Sequence, residues 1–508
     1  NGTVSDPKFI GSDHVYSTSG LKTATMTVTD STGSSNTSIT LVRVFLPSEI
    51  NLDLRRNMAM EKGLLFLYKN KIEDSRMDGF KWYNTNTGNL HTAATTGFAV
   101  MAYTDFGHTA LTASNLHAYG DMVRKGIRFL VGHENTGTMS IPDHSDGIAV
   151  RQSDNPAGKD PGKGAYLLKT GGHDSYSNSI AVMAVLTGFP SGEGATAATI
   201  DYGPFTGWNY QELAEELCEL IMWTQGDGNV RGGWEYYLNQ QQRRHDGSVQ
   251  QWPVIALMTA DEKGGINIPQ WVKDNVDHAY AQLTHSNGAV NYTPTSNWLN
   301  VDKTGGHLIA DAWAGRPATD PIAAPSVGYI TNLWMANNGW SDNLYGAYGV
   351  KKGLDFIGVK TIQTPQGTRD WDADMSSWYL GIDNGWDPGM NPTKRTTYYS
   401  YGQKADGSWD GVFLDSRHNR RYSPSFTTAS VLALLSRGVT NFPPIPLVNY
   451  PLTVPTNKEF ELDGSPSYHS NPAKVIRMWK WKWSWTGDIS TIDWNNPDAI
   501  GPRPVHPG

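Results

Sequence analysis

At 508 residues the chain is too long for one ordinary core, so two or more domains are expected. A net charge of −8 and an isoelectric point near 6.0 argue against a nucleic-acid or anionic-membrane partner. Charged residues make up only 18% while Gly, Asn, Ser, Thr and 19 Trp are plentiful, a texture of secreted and cell-surface proteins more than of cytosolic enzymes. The expected location is therefore extracellular or at the cell surface.

No apolar run approaches the ~18–20 residues of a membrane span. The chain begins at Asn1 with neither Met nor signal peptide, which fits a processed product or an excised piece. The single Cys218 lies in the helical stretch Tyr210-Gln-Glu-Leu-Ala-Glu-Glu-Leu-Cys-Glu-Leu-Ile-Met and reads as a buried, inert thiol.

Residues 1–46 read as β. Thr23-Ala-Thr-Met-Thr-Val-Thr-Asp30 alternates, Ser31-Thr-Gly-Ser-Ser35 turns, and Ser38-Ile-Thr-Leu-Val-Arg-Val-Phe45 forms a second strand. From Pro47 the texture is helical to about Gly438, where Phe442-Pro-Pro-Ile-Pro446 makes a stiff linker into a second β segment. The expected domains are therefore 1–46, 47–445 and 446–508.

The helical body repeats. His91 and His173 each reach Ala-Val-Met-Ala eight residues on; His245 reaches Pro253-Val-Ile-Ala-Leu257 at the same offset, and Tyr422 reaches Ser430-Val-Leu-Ala-Leu434. Glycine-rich aromatic turns lie upstream: Asp78-Gly-Phe-Lys-Trp82, Gly232-Gly-Trp-Glu-Tyr236 and Asp406-Gly-Ser-Trp-Asp-Gly411, with weaker copies at His285–Tyr292 and at Asp370-Trp-Asp-Ala-Asp374. About six helix pairs follow, with a period of roughly 60–80 residues, and such pairs bury their apolar faces only against neighbours.

The turn Asp406-Gly-Ser-Trp-Asp-Gly411 followed by Phe426-Thr-Thr-Ala-Ser-Val-Leu-Ala-Leu-Leu435 resembles the Gln-Trp repeat of squalene-hopene cyclases and their terpenoid-cyclase-like relatives. The segment Tyr345–Val359 with Asp370-Trp-Asp is similar to the stretch before the last repeat of bacterial toroid proteins of that group. The resemblance covers about 50–440 and implies an (α/α)6 toroid, saying little about activity.

The last β segment carries Met478-Trp-Lys-Trp-Lys-Trp-Ser-Trp-Thr-Gly-Asp488, which places Trp479, Trp481, Trp483 and Trp485 on one strand face. Two strands alone cannot bury such a face. The first β segment resembles the second half of a PKD domain, an immunoglobulin-like module, and Phe460–Ser467 with the Trp strand resembles the first half. Together they make about 109 residues, against ~100 for an Ig-like sandwich. The expected partner of the Trp face is Met26 and Val28 with Ile39 and Leu41, Arg43 interrupting that face so that the second strand bulges or leaves the core there. The fold class is thus multidomain and mainly α, an (α/α)6 toroid plus a PKD/Ig-like β-sandwich formed by the N- and C-terminal segments. The halves can meet within one chain, pair head-to-tail between chains as a filament, or belong to a longer tandem array.

Candidate chemistry is scattered. The Asp370, Asp372, Asp374 run is similar to the proton donor of class II terpene cyclases but separates its last two acids, and helix capping is the expected role. His91, His173 and His245, joined loosely by His307, stand in matching phase at helix starts; equivalent positions on successive spokes should lie far apart. Toroids of this shape host polysaccharide lyases and glycosidases, for which Glu235 beside Trp234, the Asp406 and Asp410 pair, and His173-Asp174 are candidate acids and bases. Trp82, Trp234 and Trp409 suit sugar stacking or, as expected here, packing between repeats. No phosphate loop, zinc pattern or nucleophile elbow occurs; no cofactor is expected, although the Asp-rich turns leave room for calcium without an EF-hand-like loop.

The leading expectation is a surface or filament building block whose partners are head-to-tail copies of itself. A secreted carbohydrate-active enzyme acting on polysaccharide comes second, and a terpene cyclase third.

Overall fold

The computed structural model describes residues 17–83, 91–110, 118–141, 163–169, 172–189, 198–238, 244–334, 339–342, 344–382, 402–413, 420–436, 460–461, 478, 480–481, 497–500 and 505–506. The chain divides into two compact units, residues 1–55 with 444–468 and 475–508, and residues 56–443 with 469–474.

In the smaller unit, β1 (Gly20–Thr29) and β2 (Ser35–Val44) form an antiparallel hairpin. Asp30 organises its turn by accepting from the backbone N–H groups of Thr32 (2.8 Å) and Ser34 (3.0 Å) and from the Thr32 hydroxyl (2.6 Å). That turn places Thr29 opposite Ser35, and the register follows from it. Met26 pairs with Ser38 and Val28 with Asn36, whereas Ile39 pairs with Thr25 and Leu41 with Thr23. Met26 and Val28 therefore share a face with Val42 and Val44, and Ile39 and Leu41 fall on the other. The single apolar face expected from all four is not formed, and the ladder runs through Arg43 to Val44 without a bulge.

Near the C-terminus Phe460–Glu461 pairs with Val505–His506, and Lys480–Trp481 with Ala499–Ile500. Among the described residues no ladder joins these strands to β1 and β2, and the described strands of this unit pair as three two-stranded sheets. Trp481 is half-buried opposite Ala499; Trp479, Trp483 and Trp485 lie outside the described residues.

The larger unit is a ring of helix pairs. The outer helices are α1 (Leu52–Lys69), α3 (Ala118–Gly132), α5 (Tyr210–Trp223), α7 (Gln270–Leu283), α9 (Ala324–Asn332) and α11 (Trp371–Leu380). The inner helices are α2 (Thr92–Asp105), α4 (Asp174–Gly188), α6 (Gln251–Glu262), α8 (Val301–Trp313), α10 (Leu344–Phe356) and α12 (Pro424–Leu435). Each inner helix packs on the next, and α12 returns to α2, which closes the ring.

Composition explains the two layers. Every residue of α2 from Thr92 to Tyr103 is buried, as expected of a helix that is apolar or small all round. By contrast, α3 buries Met122, Val123, Ile127 and Leu130 while Arg124 and Lys125 remain partly exposed. The tightest inner contact, α8 on α10, needs glycine: a Cβ on Gly305 would stand 2.4 Å from the Gly349 carbonyl carbon.

The glycine-rich aromatic turns lock each repeat together. Trp82, Trp234 and Trp409 are fully buried, and their indole N–H groups donate to Leu67 O (2.9 Å), Ile221 O (3.0 Å) and Tyr379 O (2.6 Å), near the ends of α1, α5 and α11. Their backbone N–H groups donate forward to Thr96, Gln250 and Thr428 at 3.2, 3.3 and 3.1 Å. Leu167 and Val290 make the same forward bond to Asn178 (2.7 Å) and Thr304 (3.1 Å), which identifies their units as Trp-less copies. One expected copy is misplaced: Asp370-Trp-Asp-Ala-Asp374 starts outer helix α11 instead of forming a turn before an inner helix.

Candidate functional site

Aromatic contacts bring the starts of the inner helices together at one rim. His91, the N-cap of α2, stacks on His173, the N-cap of α4, with ring centroids 5.3 Å apart. The separation expected for successive spokes does not hold for this pair, because two neighbouring N-caps lean toward each other. His173 lies 4.8 Å from Tyr236, and Tyr176 reaches Tyr236 (5.8 Å), Trp252 of α6 (6.5 Å) and Tyr345 of α10 (6.3 Å). Phe98 of α2 meets Trp252, Tyr348 and Phe426 edge-on at 5.8, 5.5 and 5.6 Å. Phe98, Trp252 and Tyr348 are buried, whereas His91, His173, Tyr176, Tyr236, Tyr345 and Phe426 keep partial exposure. The result is a half-open aromatic basin over a filled centre.

Polar groups border it on the α6 side. Asp246, on the segment leading into α6, has a fully buried side chain. Its Oδ1 accepts from Ser248 Oγ (2.6 Å) and Ser248 N (3.0 Å), and Ser248 Oγ in turn bonds the Tyr176 hydroxyl (2.8 Å). A second chain runs the other way: the Tyr292 hydroxyl hydrogen-bonds Asp246, and the Tyr236 hydroxyl lies 2.5 Å from that of Tyr292. Arg244 Nη2 donates to Tyr292 Oη (3.1 Å) and to Asp246 Oδ2 (3.4 Å), while its Nε faces Glu235 Oε1 at 3.3 Å. Burial pushes the Asp246 carboxyl above the usual range, opposed by its hydrogen bonds with Ser248 and Tyr292 and by Arg244. Burial likewise raises the phenols of Tyr236 and Tyr292.

This arrangement can move a proton. The Tyr236 and Tyr292 hydroxyls share one hydrogen bond in which either can donate, and Tyr292 also bonds Asp246, so a group bound at half-exposed Tyr236 is connected to a carboxyl group that solvent does not reach. Glu235 and Asp246 flank one guanidinium, and contacts of 3.3 and 3.4 Å keep their oxygens inside the ~9.5 Å outer limit for carboxylate pairs acting on glycosidic bonds.

The sequence candidates divide. Glu235 and His173 belong to this rim, with Asp174 buried beside His173 in the first turn of α4. Asp370 is the N-cap of α11, accepting from Asp372 N and Ala373 N, both at 3.0 Å. Asp372 holds buried Arg56 (2.7 Å), and Asp374 takes both Arg369 (2.6 and 3.0 Å) and the Trp334 indole (2.9 Å). Asp406 accepts from the Ser408 backbone and hydroxyl, and exposed Asp410 pairs with Lys404. His245 turns away from the basin to Gln282 (3.2 Å), and His307 bonds Ser326 (2.9 Å). Cys218 is buried, and burial pushes its thiol up.

Asp246, Ser248, Tyr292 and Lys303 were not singled out from the sequence. One signal for Asp246 existed, since His245-Asp246 repeats His173-Asp174 in the same phase. Among the described residues no three His, Cys, Asp or Glu side chains converge as a metal would require.

No protein-family profile matches the sequence, and no curated protein matches it. Among solved structures, a family 76 glycoside hydrolase from a bovine Bacteroides thetaiotaomicron strain matches at 9% identity with a TM-score of 0.42, over 82% of this chain and 84% of that one.

Proposed function

We propose that the ring is a carbohydrate-active enzyme that holds a glycan in the aromatic basin and hydrolyses it there. The observation that carries this reading is the Tyr236–Tyr292–Asp246 chain, which ends on a half-exposed hydroxyl among stacked rings. Partly exposed Tyr and His faces suit the apolar faces of sugar rings, and their polar tips suit the hydroxyls. In this mechanism Tyr236 gives a proton to the leaving oxygen as the glycosidic C–O bond breaks. Tyr292 and Asp246 refill it, the raised carboxyl of Asp246 being suited to carry that proton. Glu235, across Arg244, takes a proton from the attacking water.

The terpene-cyclase reading loses its acids to the capping and ion pairs of α11. The test is incubation with a panel of neutral and anionic polysaccharides, followed by assay of new reducing ends. Tyr236→Phe and Glu235→Gln should each lower the rate by ~10²–10⁴, the usual worth of a general acid or base. A folded protein that neither binds nor cleaves any of them would sink the reading, and products with an unsaturated end would overturn the hydrolytic step.

A further inference from the structure

Lys303 is a cation where the fold disfavours one. It sits in the first turn of α8, its backbone N–H capped by Asn300 Oδ1 at 3.2 Å, and the residue is only 3% exposed. Burial and the positive end of a helix both work against an ammonium there. Its stem passes Gly247, where a Cβ would stand 3.1 Å from Lys303 Cδ. Among the described residues its Nζ has no hydrogen-bond acceptor; it lies over the Trp298 ring, 5.1 Å from the centroid.

The charged groups facing it are Asp302 from α8 itself and Asp246 from the segment entering α6. Both carboxylates have donors elsewhere: Asp302 takes Asn300 Nδ2 (3.2 Å), and Asp246 takes Ser248, Tyr292 and Arg244. The three N–H donors of the ammonium are what this corner leaves unanswered. Trp298 is 61% exposed, and its ring lies 5.3 Å from Tyr292, so this corner adjoins the basin.

We propose that Lys303 and Trp298 form a subsite for an anionic sugar, the ammonium taking a carboxylate or sulfate group and the indole stacking on the ring that carries it. The inference rests on the glycan reading of the basin and names its substrate class. An incoming anion would supply the acceptor that the described residues do not give Nζ, and a charge-assisted bond is the strong kind. Trp298 would then contribute the sequence-tolerant flat surface while Lys303 selects for charge.

The pH dependence has a definite sign. Burial pushes Lys303 down to about 8, opposed by Asp302 and Asp246. The ammonium is thus present at neutral pH, and affinity for anionic sugars falls as pH rises from 7 to 9.

The test measures binding of uronate, sulfated and neutral oligosaccharides of equal length by calorimetry to the full chain, with Lys303→Met and Trp298→Ala beside it. Expected is a preference of roughly tenfold or more for one anionic class, the worth of one hydrogen bond to a charge. Lys303→Met should abolish that preference and its pH dependence while leaving neutral sugars unaffected; which anionic class loses affinity identifies the group bound. Trp298→Ala, a change at an exposed side chain, should weaken neutral and anionic sugars together. Anionic and neutral sugars bound equally by the wild type, or a preference that survives in Lys303→Met, would overturn the subsite while the glycan reading stands. Failure to bind any sugar would remove the glycan reading and the subsite with it.

Discussion

The start of α11 and the corner where α6 and α8 begin are both rich in charge, yet they differ in how that charge ends. At α11, Asp370 closes on its own helix, Asp372 on Arg56 with Lys351 Nζ at 3.6 Å, and Asp374 on Arg369 and Trp334. At the α6 and α8 corner, the hydrogen bonds lead from buried Asp246 out to half-exposed Tyr236, and the Lys303 ammonium ends on an indole face. Charges that close on one another hold a fold together. Charges whose chain of partners runs toward solvent are available to a ligand.

Breaking the closed set should therefore damage stability first. Asp372→Ala leaves Arg56, 4% exposed, without its carboxylate, and a loss of ~3–5 kcal/mol is expected from urea unfolding of the full chain. Asp370→Ala removes only a cap and should cost ~1 kcal/mol. Equal losses from the two would erase the distinction between a buried partner and an end cap.

The open set should respond the other way. Asp246→Asn keeps the shape but takes away the carboxylate behind Tyr292, so glycan cleavage should fall by ~10²–10⁴. Stability should change less than with Asp372→Ala, because the amide keeps the shape and its oxygen can still accept from Ser248. A large loss of stability with normal cleavage would place Asp246 among the structural acids.

Trp234→Phe sharpens the contrast at the repeat turn. It retains most of the apolar ring but removes one of the two donors to Ile221 O, which keeps the Thr224 hydroxyl at 2.9 Å, so ~0.5–1.5 kcal/mol of stability should go while the basin keeps its chemistry.

The ring was legible because its causes are local and repeated. Inner helices such as α2 and α12 are apolar or small on every side, and they recur at one offset from His91, His173, His245 and Tyr422. The Trp turns carried the same signal, although Asp370–Asp374 imitated it, because an Asp-rich helix start and an Asp-rich turn use the same residues. The basin was only partly legible. Glu235 and His173 stood near recognisable turns, and Tyr292 ends the His285–Tyr292 turn of the unit that also carries Lys303, but Ser248 belongs to the preceding unit and nothing in the spacing marks these residues as one site. The β1–β2 face was misjudged for a simpler reason: the turn at Asp30 sets the parity of the whole ladder, and shifting it by one residue exchanges the two faces.

The smallest expected effect is a cancellation, and it distinguishes a third kind of charged cluster. His307 Nδ1 bonds Ser326 and its Nε2 lies 3.7 Å from Asp311 Oδ2; burial pushes His307 down to about 3. Burial pushes Asp311 up to about 7 even though Arg316 Nε is 3.0 Å away, since Arg316 is also neutralised by Asp277. Near pH 5 the folded chain then carries one proton of this pair on Asp311, while the unfolded chain, with ordinary pKa values, carries one on the histidine. Both states bind equally many protons, so the pair adds no slope to stability between about pH 6.5 and 4. Asp311→Asn exposes the histidine alone, whose folded pKa is depressed, and stability should fall as pH drops through that window. His307→Asn exposes the aspartate alone, whose folded pKa is raised, and stability should rise over the same window. Thermal unfolding of the three proteins across pH 4–7 checks this, and slopes of one sign in both variants would show that the two groups do not share a proton in this way.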